Sequence, residues 1–499
     1  GNGRPAAAVE SLEPMTEPTA LSPAAPGDRD FGAMLALFVG SGAAALIYQV
    51  VWFQILSLVI GSSTVSLGVL LGTFMGGMCL GSLLLPRVVS AAHHPLKVYG
   101  LMELAIGGIG LLVLATVPLI GNLYTAWAGT GMFSMILRSI VAAICLLPPT
   151  LLMGATLPAV ARWVQTTPKG VSWLGFFYGG NTAGAVLGSL AAGFYLLREY
   201  DVMVATFAAA ALNVIVGVAA LALAKRSAYV PAAGGTEDVR AVNPWPIYAA
   251  IGLSGRTALS AEVLWTRLLS LLFGATVYTF SLVLAVFLAG LGIGSSAGSL
   301  VAPRLAHPRT AFAWCQILLV AGIAWTSYVL SAWMPFWPVN PSLATSPWIN
   351  VQLDLARCLF AVLPPAILWG ASFPLALASI AAPGQDPGRL VGRLYAANTV
   401  GAIVGSLFAS LLLVAWIGTQ KAQQLLIISA AISGLIVLAT DTTRRATAAA
   451  QLAPAVAVLL AVLLARSVPP VPGLLIAYGR YAATWIGQNE IFYSGEGLT

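Results

Sequence analysis

Charged side chains are scarce in this chain. Only 8% of its 499 residues are Asp, Glu, Lys or Arg, whereas a soluble domain carries about 25%. There are only three histidines, too scattered for a metal site, and the four cysteines include no CxxC pair and lie in or near apolar segments. These deficits exclude a soluble globular protein, a disulfide framework and a metal-thiolate site. The net charge of +7 is no indication of a nucleic-acid partner, because the basic residues lie in short loops.

Long apolar runs recur along the chain, and its mean hydropathy is +0.91. A run of about 18 or more apolar residues is long enough to cross a bilayer as a helix. We predict spans at 32–59, 64–86, 97–119, 136–163, 173–197, 202–224, 246–273, 277–303, 310–334, 352–382, 390–416 and 421–440. The sequence therefore predicts an all-α polytopic membrane protein whose main partner is the lipid bilayer.

The second half of the chain repeats the first in the same order. Tyr178–Leu190, YGGNTAGAVLGSL, recurs 217 residues later as Tyr395–Leu407, YAANTVGAIVGSL, with 8 of 13 positions identical. Leu147–Pro158, LPPTLLMGATLP, recurs as Leu363–Pro374, LPPAILWGASFP. Two parallel six-helix repeats are the arrangement of major-facilitator folds.

The repeats divide the chain into six predicted parts. These are a tail at 1–31, a repeat at 32–224, a cytoplasmic linker at 225–245, a second repeat at 246–440, a linker with a thirteenth span at 441–468, and the start of a truncated soluble domain at 469–499. The tail is rich in Ala, Pro and Glu, and we expect a protein partner in a membrane complex to hold it.

Loop charges predict the orientation in a bacterial-type inner (plasma) membrane. Lys and Arg cluster after the even-numbered spans, which predicts a cytoplasmic N-terminus. The uncharged segment Ala453–Leu464 predicts that the thirteenth span crosses, so the C-terminal tail is predicted to be periplasmic.

Small residues mark the expected helix crossings. Gly184 and Gly188 in the first repeat, and Gly401 and Gly405 in the second, are spaced four apart and so share a helix face. In an apolar segment such a face lets another helix approach closely.

A few polar residues inside the spans are candidates for function. Intramembrane charge costs about 2.5–3.5 kcal/mol on insertion scales, which makes Glu103, Glu262 and Arg267 functional candidates. The alternative is a structural role, with partners on other helices. Asn181 and Asn398 occupy equivalent places in the repeats and either line a central cavity or bond between helices.

The segment from Glu262 to Arg267, EVLWTR, follows Ser254-Gly255 and precedes Gly274. Together with the LPP and Asn-Thr blocks, it resembles the membrane portion of the fused major-facilitator/spermidine-synthase-like family. The ending FYSGEGLT at 492–499 resembles the opening strand of that family's synthase-like domain.

The resemblance implies that, past Thr499, a Rossmann-like domain would bind a decarboxylated S-adenosylmethionine-type cofactor and a polyamine. No catalytic, cofactor-binding or metal-binding residue of such a domain is present in this chain. The first repeat departs from the pattern: Gln49, Phe53 and Gln54 stand where the second repeat has Glu262, Thr266 and Arg267, respectively.

Three functions follow from these observations. The first prediction is a non-catalytic membrane subunit or scaffold derived from the fused family, because catalytic residues are missing and Pro86 and Pro303 replace the acid of the major-facilitator loop signature. One alternative is the membrane half of a polyamine aminopropyltransferase. Another is a transporter of a cationic small molecule, with Glu103 and Glu262 as cation ligands.

Overall fold

The computed structural model describes most of the chain as helix. The described residues are Gly1, 28–60, 63–90, 92–125, 132–164, 170–227, 229, 243–337, 346–381, 387–440, 448–488, 491–492 and 494–495. Most of the predicted N-terminal tail and of the linker at 225–245 lies outside these residues, as do three of the loop arginines behind the predicted orientation, Arg240, Arg444 and Arg445.

The helices follow the predicted spans. They are α1 Asp28–Ile60, α2 Ser63–Val88, α3 Pro95–Thr125, α4 Met132–Val164, α5 Gly170–Ala191, α6 Val202–Ala224, α7 Trp245–Phe273, α8 Val277–Val301, α9 Pro308–Tyr328, α10 Pro347–Ile380, α11 Pro387–Phe408, α12 Val414–Thr440, α13 Ala448–Ser467 and α14 Gly473–Tyr478. Among the described residues, nine helical stretches are long and apolar enough to cross a membrane. The predicted fold class, an all-α multi-pass membrane protein, is confirmed.

The same helix pairs recur in both halves. In the first half α1 packs on α5, α2 on α4 and α3 on α6; in the second half α7 packs on α11, α8 on α10 and α9 on α12. Between the halves, α5 packs on α8 and α2 on α11. Each half therefore joins the other through its second and fifth helices.

Glycines allow the closest of these crossings. A methyl group added at Gly188 would overlap the backbone of Ala43, and one at Gly405 would overlap the backbone of Arg256. Gly184 and Gly401 meet the backbone of α1 and α7 in the same way. Because only a hydrogen fits at these points, the two backbones of each pair lie in direct contact.

Wide π-helical turns extend α5 and α11. They span Ala192–Leu196 and Ala409–Leu413, at the same offset of 217 residues that relates the two Asn-Thr segments. A further π turn, Val329–Trp333, extends α9. Single π turns inside membrane helices recur at functional sites.

Prolines interrupt the hydrogen bonds of α10 without ending the helix. Pro364 and Pro365 carry no N–H, so the carbonyls four residues before them lose their helical donors. α9 supplies replacements: Trp325 Nε1 donates to one of these carbonyls at 3.0 Å and Thr326 Oγ1 to the other at 2.7 Å. The neighbouring helix thereby satisfies both carbonyls that the prolines leave without a helical donor.

The C-terminal segment folds back on the ends of other helices. Gln420 Nε2, near the start of α12, donates to the carbonyl of Val468 at 2.8 Å, so α13 runs antiparallel to α12. Arg480 Nη2 then contacts both Phe273 O at 2.9 Å and Asp354 Oδ2 at 3.0 Å. This segment therefore lies at the face where α7 ends, opposite the face where α1 and α7 begin.

Candidate functional site

A cavity of about 100 Å³ lies between α7, α8, α10 and α11. Its polar lining includes Ser254, Ser295, Tyr395 and Asn398. Its apolar lining is mainly aromatic, from Phe287, Trp369 and Phe373. Ligand sites in proteins commonly combine apolar walls with a few convergent polar groups.

The crossing of α7 and α11 fixes one side of the cavity. A methyl group on Gly255 would overlap the carbonyl oxygen of Asn398, so the two helices touch beside the cavity. Asn181 holds the same position against Gly42 in the first repeat. Both asparagines are half-buried at an equivalent crossing, and Asn398 also lines the cavity.

Trp369 forms the aromatic wall and is held in place by a hydrogen bond. Its indole Nε1 donates to Thr257 Oγ1 at 3.1 Å. Its ring centroid lies 5.7 Å from that of Phe287 and 5.6 Å from that of Trp265. Rings at these separations attract one another, so the wall is pre-organised.

Glu262 lies one turn beyond Ala258 on α7 and is not itself part of the cavity lining. Residues four apart share a helix face, and Ala258 lines the cavity. Glu262 is only 4% exposed, and its Oε1 has no hydrogen-bond partner among the described residues. A buried carboxylate of this kind favours a cation or a proton as its partner.

Arg267 is not on the same side of α7 as Glu262. Five positions turn an α-helix by about 140°, which directs the two side chains to different neighbours. Arg267 is half-buried, whereas Glu262 is buried. Glu262 and Arg267 are therefore two separate groups.

Glu103 lies in the first repeat, apart from the cavity. It is fully buried on α3, where Ser41 Oγ of α1 donates to its Oε1 at 2.6 Å and Asn213 Nδ2 of α6 donates to its Oε2 at 2.6 Å. Glu103 and Glu262 therefore do not form one site.

The two repeats pack tightly at one end of the α2–α11 pair and loosely at the other. A methyl group on Gly68, near the start of α2, would overlap Ser410. One on Gly76, two turns later, would lie 3.6 Å from Ile403, at ordinary contact distance.

The α5–α8 pair shows the same gradient. A methyl group on Gly193 would overlap Ser281 near the start of α8, whereas one on Gly179 would lie 3.9 Å from Ser296. Both pairs are thus tightest at the face where α1 and α7 end, and the cavity lies toward the opposite face.

Several residues that shape this region were not predicted from the sequence. Arg256, which bonds to Ser429 between α7 and α12, was detectable as a charge inside an apolar run. The aromatic wall had no such signal, because its members come from separate helices.

No protein family model and no curated protein matches the chain. Among solved structures, the chain is similar to a bacterial homolog of the human lysosomal transporter Spinster, in an inward-facing and unoccupied conformation. The identity is 12%, the match covers 88% of this chain and 97% of that chain, and the TM-score is 0.47. The same homolog in an inward-facing and occupied conformation is 13% identical, covers 88% and 96% of the two chains, and gives a TM-score of 0.44.

The chain is also similar to the POT family transporter PepTSo. That match is 15% identical, covers 89% of this chain and 99% of that chain, and has a TM-score of 0.44. At these identities the likeness is one of fold.

The prediction of a non-catalytic subunit or scaffold is wrong. The solved structures that share the fold are described as transporters. The prediction relied on the loop signature, but Pro303 lies in a short turn after α8 and not in the cavity lining. The loss of an acid at a helix end therefore does not remove the interior site.

Proposed function

We propose that this protein transports a small organic cation across the membrane. The observation that carries the proposal is the aromatic cavity, with the buried carboxylate of Glu262 one helical turn beyond its lining residue Ala258. Aromatic faces attract ammonium groups, and a carboxylate supplies the opposite charge. Glu262 would act as the counter-ion of the substrate, and Tyr395 and Asn398 as its polar contacts.

The packing of the two repeats supports alternating access. Residues 32–224 and 246–440 would be the two bodies that move against one another. Their contacts are closest where α1 and α7 end and looser toward the cavity. With the N-terminus in the cytoplasm, as the loop charges predict, the cavity would open inward.

The resemblance to the fused spermidine-synthase-like family adds polyamines to the candidate substrates. A cavity of about 100 Å³ holds an amine group and a short chain. A longer polyamine would extend from it toward the loosely packed end. The aminopropyltransferase alternative stays a prediction from the sequence. It concerns a domain past Thr499, because no residue of this chain is a candidate for that chemistry.

Uptake by proteoliposomes tests the proposal. We expect saturable uptake of at least one radiolabelled cation among putrescine, spermidine and tetraethylammonium, and none of the neutral analogue butanediol. Glu262→Gln should lower uptake about tenfold or more, equivalent to about 1.4 kcal/mol.

Glu199→Gln is the matched control, because that carboxylate is 54% exposed and lies away from the cavity. Uptake that is unaffected by Glu262→Gln, or equal for cations and butanediol, would refute the proposal.

A further inference from the structure

Glu103 is a buried carboxyl group that the proposed transport site does not use. It is 0% exposed and lies where α1, α3 and α6 meet. Ser41 and Asn213 bind one carboxyl oxygen each, both at 2.6 Å. Tyr99, one turn earlier on α3, is buried beside it, and its hydroxyl lies 3.5 Å from the carbonyl oxygen of Leu37.

No positive charge balances this carboxyl group among the described side chains around it. The titratable neighbours are Tyr99 of α3 and Tyr48 of α1, and α6 carries no charged side chain. Lys97 is exposed at the start of α3. The charged or titratable side chains of α4 are Arg138, Cys145 and Arg162, and the two arginines bond to the carbonyls of Val59 and Val89. A carboxyl group in such a place is stable with a proton bound.

The hydrogen bonds around Glu103 can satisfy its carboxyl group whether or not the group carries a proton. As placed, Asn213 donates from Nδ2 and its Oδ1 has no partner among the described residues. Rotating the amide by half a turn presents Oδ1 to the carboxyl, where it accepts from a Glu103 O–H. The separation of 2.6 Å suits an O–H···O bond, whose usual range is about 2.5–3.0 Å.

Ser41 connects Glu103 to the interior face of the bundle. It is half-buried, and it matches Ser254 of the second repeat, which lines the cavity. A hydroxyl both accepts and donates a hydrogen bond, so Ser41 can pass a proton between that face and Glu103.

The second repeat has a neutral residue at the matching place. Gln316 is the ninth residue of α9, as Glu103 is of α3. It is also fully buried, donates to Ser372 at 2.8 Å and accepts from Ser433 at 3.2 Å. The fold thus accommodates an amide at this position, and only the first repeat carries the acid.

We propose that Glu103 is a proton-binding site of the first repeat, reached through Ser41 and separate from the cavity. The proton moves between Ser41 and the carboxyl group while Asn213 reorients its amide. The inference stands on the Glu103 network and does not depend on transport of a cation.

Infrared spectroscopy of the full chain in lipid nanodiscs tests the inference without a substrate. Between a low and a high pH, the difference spectrum should contain a carboxylic-acid C=O band that shifts in D2O. Glu103→Gln should remove that band, and Gln316→Glu should add a second one. Ser41→Ala should slow the exchange of the Glu103 proton at least severalfold.

Glu262→Gln is the control and should leave the Glu103 band in place. Thermal unfolding checks that each variant is folded. We expect Glu103→Gln to fold, because the matching position of the second repeat already carries an amide side chain, that of Gln316. A difference spectrum unchanged by Glu103→Gln, or one with no titrating carboxylic-acid band in the wild type, would overturn the proposal. Loss of cation uptake alone would bear only on the transport proposal.

Discussion

Single hydrogen bonds from side chains compensate for backbone groups that the helices leave unpaired. In α10 the two adjacent prolines leave two carbonyls without donors, and Trp325 and Thr326 of α9 supply them. In a bilayer no water is available to do so, and an unsatisfied polar group costs several kcal/mol. These contacts explain how a segment rich in proline remains one long helix.

Thr326→Val should destabilise the protein by about 0.6–1.7 kcal/mol, the average and the maximum measured for hydrogen bonds between membrane helices. The substitution keeps the shape of the side chain and removes only the hydroxyl donor. Unfolding by SDS titration measures the change. Thr326→Ser is the control and should retain most of the stability; an equal loss in both variants would assign the effect to packing.

At the scale of helices, spacing in the sequence carries most of the information. The apolar runs and the matched LPP and Asn-Thr blocks are enough to predict twelve spans in two parallel repeats, because membrane helices must satisfy their own backbone. No periodic pattern in the sequence indicates that Glu103 contacts Asn213, which lies 110 residues further along the chain. The cavity wall likewise depends on how four helices are packed, which no local pattern encodes.

Gly188→Ala should destabilise the α1–α5 crossing by about 1–3 kcal/mol, the usual cost of overpacking. The added methyl group would overlap the backbone of Ala43, which cannot move without shifting α1. SDS titration again provides the measurement.

Gly108→Ala is the matched control for this crossing. Nothing lies within 4 Å of the added methyl group in α3, and alanine favours a helix over glycine by up to about 1 kcal/mol. Equal effects of the two substitutions would mean that the crossing is not tightly packed.

For the whole molecule, α13 determines where the C-terminal segment lies. Because α13 is antiparallel to α12, the segment around Arg480 reaches the face where α7 ends. There Arg480 joins the last carbonyl of α7 to Asp354 near the start of α10. The cavity lies nearer the other face, so Ser295 and the C-terminal segment lie toward opposite ends of the helix bundle.

Thiol labelling of intact cells should therefore distinguish two positions. We expect Ser494→Cys to react with a membrane-impermeant maleimide from outside. Ser295→Cys, in the cavity lining, should react only after the membrane is permeabilised. The parent protein, with its four native cysteines, gives the background.

The reverse pattern would invert the predicted orientation of the chain. Labelling of both positions from the same side would contradict the path of α13.

The paired π turns set the rotation of the helix segments that follow them. Each turn holds one residue more per turn than an α-helix, and the two turns lie at the same offset of 217 residues as the Asn-Thr segments. Both turns also touch the other half of the chain through a small residue and a serine: Gly193 faces Ser281, and Ser410 faces Gly68. Deleting one residue from either turn would rotate the helix beyond it by about 100° and move its face away from that contact.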